Sequence, residues 1–197
     1  MATKRKIEDP SEIGQCYFYG VSRKKNYQKA FPYLLEAARL GDVHCQNLVG
    51  FCYDRGLGVK KSVPLALQWF HIAAKSNHLE AMFNLALCYE RGVGVEINHK
   101  KAFSFYKRAA ELGDAFAQCN LGVRYLEGLG TKQDLEKGIE WTRKAAQKGD
   151  AKAQYNLGMA YLDGEGVSKN SRLARIWLDK AAKQGHKQAS RALQRAS

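Results

Sequence analysis

The sequence predicts an all-α array of stacked helices with a 36-residue repeat, and three columns of residues predict it. Ala-Ala recurs at Ala37-Ala38, Ala73-Ala74, Ala109-Ala110, Ala145-Ala146 and Ala181-Ala182, always 36 residues apart and without an insertion. In the same phase stand Asn26, Ser62, Asn98, Asp134 and Asn170, whose side chains can accept from the free amides of a first helical turn. Three residues beyond each alanine pair come Gly41, Asn77, Gly113, Gly149 and Gly185, the residue types that tolerate the left-handed conformation closing a helix. A constant period of this size marks units that bury their apolar faces only against their neighbours.

The elements follow in order. Residues 1–7 form a basic N-terminal arm, polar where a secretory signal needs an apolar stretch. One repeat domain spans 8–197 and opens with a distorted repeat at 8–41. There Gly14 and Tyr17 are in phase, Gly20-Val21-Ser22 replaces the usual turn, and Pro32 is expected to remove a backbone bond and kink its helix.

Full repeats occupy 42–77, 78–113, 114–149 and 150–185. Each begins with a helix A whose stripe reads Cys45, Val49, Gly50, Tyr53 in the first, Ala81, Leu85, Ala86, Tyr89 in the second, and likewise in the others. The small residue at its middle admits a neighbouring helix closely. Helix A ends at Gly56-Leu-Gly58 or its equivalents, a flexible turn. Helix B follows, with apolar positions at helical spacing such as Leu65, Ala66, Trp69, Phe70 and Ala73, and it places Trp69, Trp141 and Trp177 in core columns. Residues 186–197, polar through Lys187, Arg191 and Arg195, read as a C-terminal capping helix.

Composition narrows the function classes. The chain has 197 residues, 45% hydrophobic and 26% charged, which suits a folded soluble domain. No apolar run approaches the roughly 18 residues of a membrane span. The charge of +13 favours acidic partners without identifying one. Five cysteines without a Cys-x-x-Cys pair indicate reduced, buried thiols and a cytoplasmic protein. His44, His71, His78, His99 and His186 form no His-Glu-x-x-His, and no serine sits in Gly-x-Ser-x-Gly. No catalytic residue, metal site or cofactor is therefore expected.

The dense unit Ala-x-x-x-Leu-Gly-x-x-Tyr-x-x-Gly-x-Gly-Val, then Ala-x-x-Trp-(Phe/Tyr/Leu)-x-x-Ala-Ala-x-x-Gly, resembles the Sel1-like repeats, longer relatives of the tetratricopeptide repeat. The resemblance covers about residues 8–196. It implies antiparallel helix pairs wound into a right-handed α-solenoid and a role as a protein-binding scaffold. The disulfide of cysteine-rich relatives does not carry over. Cys45 and Cys52 share a helix, and seven residues of helix rise about 10.5 Å, beyond the roughly 6.8 Å Cα separation a disulfide spans.

If helix A faces inward, as the resemblance implies, the arc opposite its core stripe lines the concave wall. One column there reads Phe51, Leu87, Val123, Met159 and another Asn47, Phe83, Cys119, Tyr155. Asn84, Asn120 and Asn156 run beside them, with Leu48 breaking the series. In tetratricopeptide clamps an asparagine at the similar place holds peptide backbone or a terminal carboxylate, while the alternative here is a bond to a neighbouring helix. Arg55 and Arg91 stand at the rim. Arg124 continues the small column of Cys16, Cys52, Cys88 and Ala160, and its guanidinium either snorkels to solvent or meets an anion in the groove.

The expected function is a monomeric, non-catalytic scaffold or adaptor taking a peptide, helix or small protein domain in this groove. A neutraliser of one effector protein is the first alternative. Nucleic-acid binding through Lys107, Arg108, Arg143 and Lys144 on the outer face is the second, disfavoured because the tryptophans sit in core columns.

Overall fold

The computed structural model describes residues 9–193. The basic arm at 1–7 and the last four residues of the expected capping helix lie outside them. Among the described residues there are eleven α-helices and no strand. They are α1 (Pro10–Tyr19), α2 (Tyr27–Arg39), α3 (Val43–Arg55), α4 (Val63–Lys75), α5 (Leu79–Arg91), α6 (His99–Glu111), α7 (Ala115–Glu127), α8 (Leu135–Gln147), α9 (Ala151–Asp163), α10 (Ser171–Lys183) and α11 (Lys187–Leu193). Odd-numbered helices up to α9 are helices A and even-numbered ones helices B, so the architecture is the all-α solenoid class of antiparallel helix pairs. None of the described helices is long and apolar enough to cross a membrane.

Two compact units are present. The first holds the described residues up to Cys88 together with Gly92–Glu96, the second Tyr89–Arg91 and Ile97 onward. In the first, α1 packs on α2, α2 on α3, and α3 on α4. Its core gathers Phe18, Leu34, Val49 and Cys52 with the alanines of α2. In the second, α6 packs on α7, α7 on α8, α8 on α9, and α9 on α10, with α11 closing against α10.

Each boundary from a helix B to the next helix A is built from one residue pair. The residue after the left-handed Gly or Asn does two things. Its amide closes helix B, as Asp42 N donates to Ala37 O at 3.0 Å and Asp150 N to Ala145 O at 3.1 Å. Its side chain then caps helix A, Asp42 Oδ1 accepting from Cys45 N at 2.7 Å and Asp150 Oδ1 from Ala153 N at 2.7 Å. Buried glutamines reinforce the joint, because Gln46, Gln118 and Gln154 donate to the carbonyls of Ala38, Ala110 and Ala146, which end the preceding helix B.

Two expectations need correction. Asn26, Asn98, Asp134 and Asn170 cap their helices through the amide three residues on, but Ser62 makes no side-chain cap bond. Pro64, without an amide, removes the alternative donor at the second helical position, and the Leu65 amide is not engaged by the hydroxyl. Pro32 lies inside α2, exposed at its surface, and as a residue without an amide it costs the helix one backbone bond, as expected, while the helix continues from Tyr27 to Arg39. Finally, the tryptophans stand at the core's edge, half-buried, with Lys144 Nζ 4.1 Å from the Trp141 ring centroid and Lys180 Nζ 4.3 Å from that of Trp177.

All five cysteines are free thiols. Burial pushes the Cys45 thiol up to about 11 and those of Cys52 and Cys119 to about 12, leaving only about one part in ten thousand of the latter two as thiolate at pH 8. The half-buried Cys16 and Cys88 should therefore react first with iodoacetamide in the native protein, and Cys52 and Cys119 only on unfolding. Peptide mapping against time checks the order.

Candidate functional site

In the first unit α1, α3 and α5 enclose a cavity of about 320 Å³ lined by Phe18, Tyr19, Asn47, Leu48, Phe51, Glu80, Phe83 and Asn84. Its polar edge is ordered from beneath. Asn47, only 3% exposed, donates from Nδ2 to Glu80 Oε2 at 3.0 Å, and its Oδ1 accepts from Asn84 Nδ2 at 3.3 Å. Asn84 thus serves its neighbour rather than standing free. Arg55 is paired with Asp54 at 3.0 Å and lies over the Phe51 ring at 5.7 Å, while Leu87 is half-buried outside this cavity.

Beside this cavity the fold joins two histidines that sequence spacing does not connect. His78 occupies the capping place that Asp42, Asp114 and Asp150 fill elsewhere, and its Nδ1 accepts from Ala81 N at 3.4 Å. An Nδ1 that accepts leaves the proton on Nε2, which faces His44 Nδ1 at 3.3 Å. His44 Nε2 in turn reaches the Tyr19 hydroxyl at 3.0 Å. One backbone amide therefore sets both tautomers.

His44, His78 and Glu80 bring ligand atoms within 4.8 Å of one another. The ring centroids are 5.6 Å apart and the facing nitrogens 3.3 Å. The difference, 5.6 − 3.3 = 2.3 Å, is about the sum of two centroid-to-nitrogen radii, so the nitrogens meet end to end along one line. That is the geometry of a hydrogen bond from His78 Nε2–H to His44 Nδ1.

In the second unit Arg124 neither snorkels nor faces a groove. Its side chain is 7% exposed, Nη2 lies 2.6 Å from Glu90 Oε2, and its Cζ lies 5.3 Å from the Tyr106 ring centroid. The Tyr106 hydroxyl donates to the same Glu90 oxygen at 2.8 Å. Burial alone would raise the Glu90 carboxyl, but the bonds from Arg124 and Tyr106 outweigh it and hold it below the usual range. Arg124 is a core ion pair because a guanidinium among apolar neighbours must find a carboxylate, and Glu90 and Tyr106 supply one.

A second cavity, about 370 Å³, lies over α7, α8 and α9, lined by Val123, Leu126, Glu127, Ile139, Lys152, Asn156, Met159, Ala160 and Glu165. It unites Val123, Asn156 and Met159 from the expected groove. Asn120 is drawn away, its Nδ2 donating to Phe116 O one turn back in α7 at 2.8 Å. Asn156 alone of the three asparagines has no hydrogen-bond partner among the described residues. Cys119 is buried, Tyr155 stacks on the His186 ring at 4.6 Å, and Arg91 is exposed outside this cavity. The accessible wall is therefore narrower than a helical wheel suggests. Glu127 belongs to a rim column of mixed sign with Arg55, Arg91 and Asp163, while Lys152 was missed because its column, His44, Glu80, Phe116 and Lys152, changes character in every repeat.

The family model for the Sel1 repeat matches five times, at residues 11–42, 43–78, 79–114, 115–150 and 151–186. The chain belongs to the Sel1 repeat family. Among solved Sel1 repeat structures, one from Oxalobacter formigenes is 32% identical with a TM-score of 0.86, the match covering 93% of this chain and 73% of that one. The protective antigen c5321 of uropathogenic Escherichia coli, which displays the same fold, is 36% identical with a TM-score of 0.86 over 93% of this chain. The match covers 39% of c5321. The immunity protein PA5088 of Pseudomonas aeruginosa, 19% identical with a TM-score of 0.58, shares the fold over 95% of this chain and 74% of its own. No curated protein matches the chain in sequence.

Two outcomes test the polar clusters of this Sel1 repeat chain. Burial, outweighing the opposing field of Glu80, lowers the pKa of His78 below its ordinary 6.5. The unfolded chain then takes up a proton near pH 6.5 while the folded one resists, so stability conferred by neutral His78 falls as pH drops from there through the lowered folded value. His78→Asp should remove that dependence and strengthen the cap by about 0.5–1 kcal/mol at pH 7.5. Urea melts at pH 7.5 and 5.5 read both. Glu90→Gln should destabilise by roughly 2 kcal/mol, less than the ~3–5 kcal/mol of a fully buried pair because solvent reaches one side of the carboxylate. Arg124→Met in the same background should restore much of it, since the orphaned charge is then gone.

Proposed function

We propose that this Sel1 repeat chain is a non-catalytic, monomeric and cytoplasmic scaffold or adaptor, and that it receives an extended segment of a partner protein on its helix A surfaces. Sel1 repeats are protein-interaction scaffolds as a family. The observation that carries the reading here is the cavity over α7 and α9. Asn156 offers an unspent amide, both donor and acceptor, beside Val123 and Met159. An amide next to apolar side chains recognises peptide backbone while burying an alternate side chain. Lys152 at the same cavity adds a cation suited to a carboxylate.

The basic outer face supports nucleic-acid binding less well. Lys107 is spent on Glu111 and Lys144 on Glu140, and the lysines over Trp141 and Trp177 occupy ring faces that bases would need. The neutraliser alternative uses the same surface and differs only in the partner's identity.

A partner captured from native extract and identified by mass spectrometry should lose at least tenfold in affinity to Val123→Glu with Asn156→Ala, about 1.4 kcal/mol or more. The melting temperature should stay within a few degrees. Reversing Lys107 and Lys144 should matter only at low salt. Binding abolished by the lysine pair at physiological salt, with the groove pair silent, overturns the proposal.

A further inference from the structure

The first unit's cavity has a chemistry unlike the second's. Its walls are the rings of Phe18, Tyr19, Phe51 and Phe83, and its one charged lining residue is Glu80. The chain carries 32 lysines and arginines against 19 acids, yet Glu80 makes no ion pair with a lysine or arginine among the described residues. The carboxylate is nevertheless held in place, since Oε2 accepts from the buried Asn47 amide, itself anchored by Asn84. Asn47 holds Glu80 at the pocket without neutralising it.

We propose that this cavity is a subsite for one basic side chain, arginine or lysine, of the partner segment, an assignment that rests on the scaffold reading above. A cation within about 6 Å of an aromatic face is attracted by the ring's quadrupole, and more strongly where water is excluded. A carboxylate fixed at the edge of such rings completes the recognition with a charge-assisted bond. A guanidinium suits the place best, because it is planar, stacks on rings and is weakly hydrated. The chain shows the pairing on its own surface, where Arg55 lies over Phe51 at 5.7 Å while its charge meets Asp54. A partner's cation entering from solvent meets the exposed Tyr19 ring and Glu80. An apolar side chain would bury the same rings but leave Glu80 desolvated and unpaired, which disfavours it.

Capped pentapeptides of the form Gly-Gly-X-Gly-Gly, with X arginine, lysine, leucine or glutamate, titrated into the full isotope-labelled chain test this without the native partner. Arginine and lysine peptides should shift the side-chain amide signals of Asn47 and Asn84 saturably, and the effect should weaken at 0.5 M salt. Glu80→Gln, which keeps the hydrogen bond from Asn47, should weaken arginine-peptide binding at least tenfold. Leucine peptide binding as well as arginine overturns the cation assignment and leaves the scaffold reading standing. Arginine peptide binding undiminished in Glu80→Gln, or no peptide shifting these amides, overturns the subsite. Failure of the scaffold reading shows separately, as native-partner binding indifferent to Val123→Glu.

Discussion

The fold depends on how closely helix B approaches helix A within a repeat. At Gly50 a methyl group would stand 2.7 Å from the Phe70 ring, at Gly158 2.7 Å from Leu178 Cγ, and at Gly122 2.4 Å from Thr142 Oγ1 and 2.9 Å from the Gly138 carbonyl. These distances lie well inside carbon van der Waals contact, so each glycine is required by proximity rather than by a special backbone angle. With the two helices that close, the alanines of helix B suffice to fill the space. Ala73, Ala109, Ala145 and Ala181 are completely buried. Larger residues would push the pairs apart and unseat the glutamine bonds that tie one repeat to the next.

A rigid 36-residue period turns sequence columns into spatial neighbourhoods, and the site inherits this. His44 and Glu80 share one column in successive helices A, and His78 lies two residues before Glu80, so a ring and a carboxylate from different repeats converge at α3 and α5. Phe51 and Phe83 come from adjacent columns in the same way and wall the first cavity. A repeat scaffold diversifies its surface by changing residues at fixed positions while the backbone stays put, which is why two cavities of similar size can differ so much in chemistry.

Most of the fold was legible because it rests on local signals. The alanine pairs, the residues after them and the helix A stripe each report a backbone state or a buried face, and these survive in every repeat. What stayed illegible was compensation between departures. Arg124 breaks a column of cysteine and alanine, Tyr106 breaks the column of Leu34, Phe70, Thr142 and Leu178, and Glu90 has leucines after it at Leu126 and Leu162. Taken singly, each looks like drift or a surface residue. In the structure the three meet in one ion pair and hydrogen bond. Nothing in a single column could announce that, since a buried charge is acceptable only through partners that lie elsewhere in the chain.

The same reasoning explains the asparagines. An amide presented on helix A has two outlets, a neighbouring polar group or a visitor, and the neighbour decides which. Asn84 has Asn47 within reach, where the next repeats have Phe83, Cys119 and Tyr155 in the Asn47 column, so its amide is spent internally. Asn120 turns back to its own helix at the carbonyl of exposed Phe116. Asn156 sits beside Val123 and Met159, whose side chains offer it no hydrogen-bonding group. Its amide is left to solvent, and in the reading proposed above a partner's backbone would take the place of that solvent while covering the apolar side chains around it. The binding role proposed for this wall thus turns on which neighbour is missing, and the apolar columns that mark the wall in the sequence also keep that amide available.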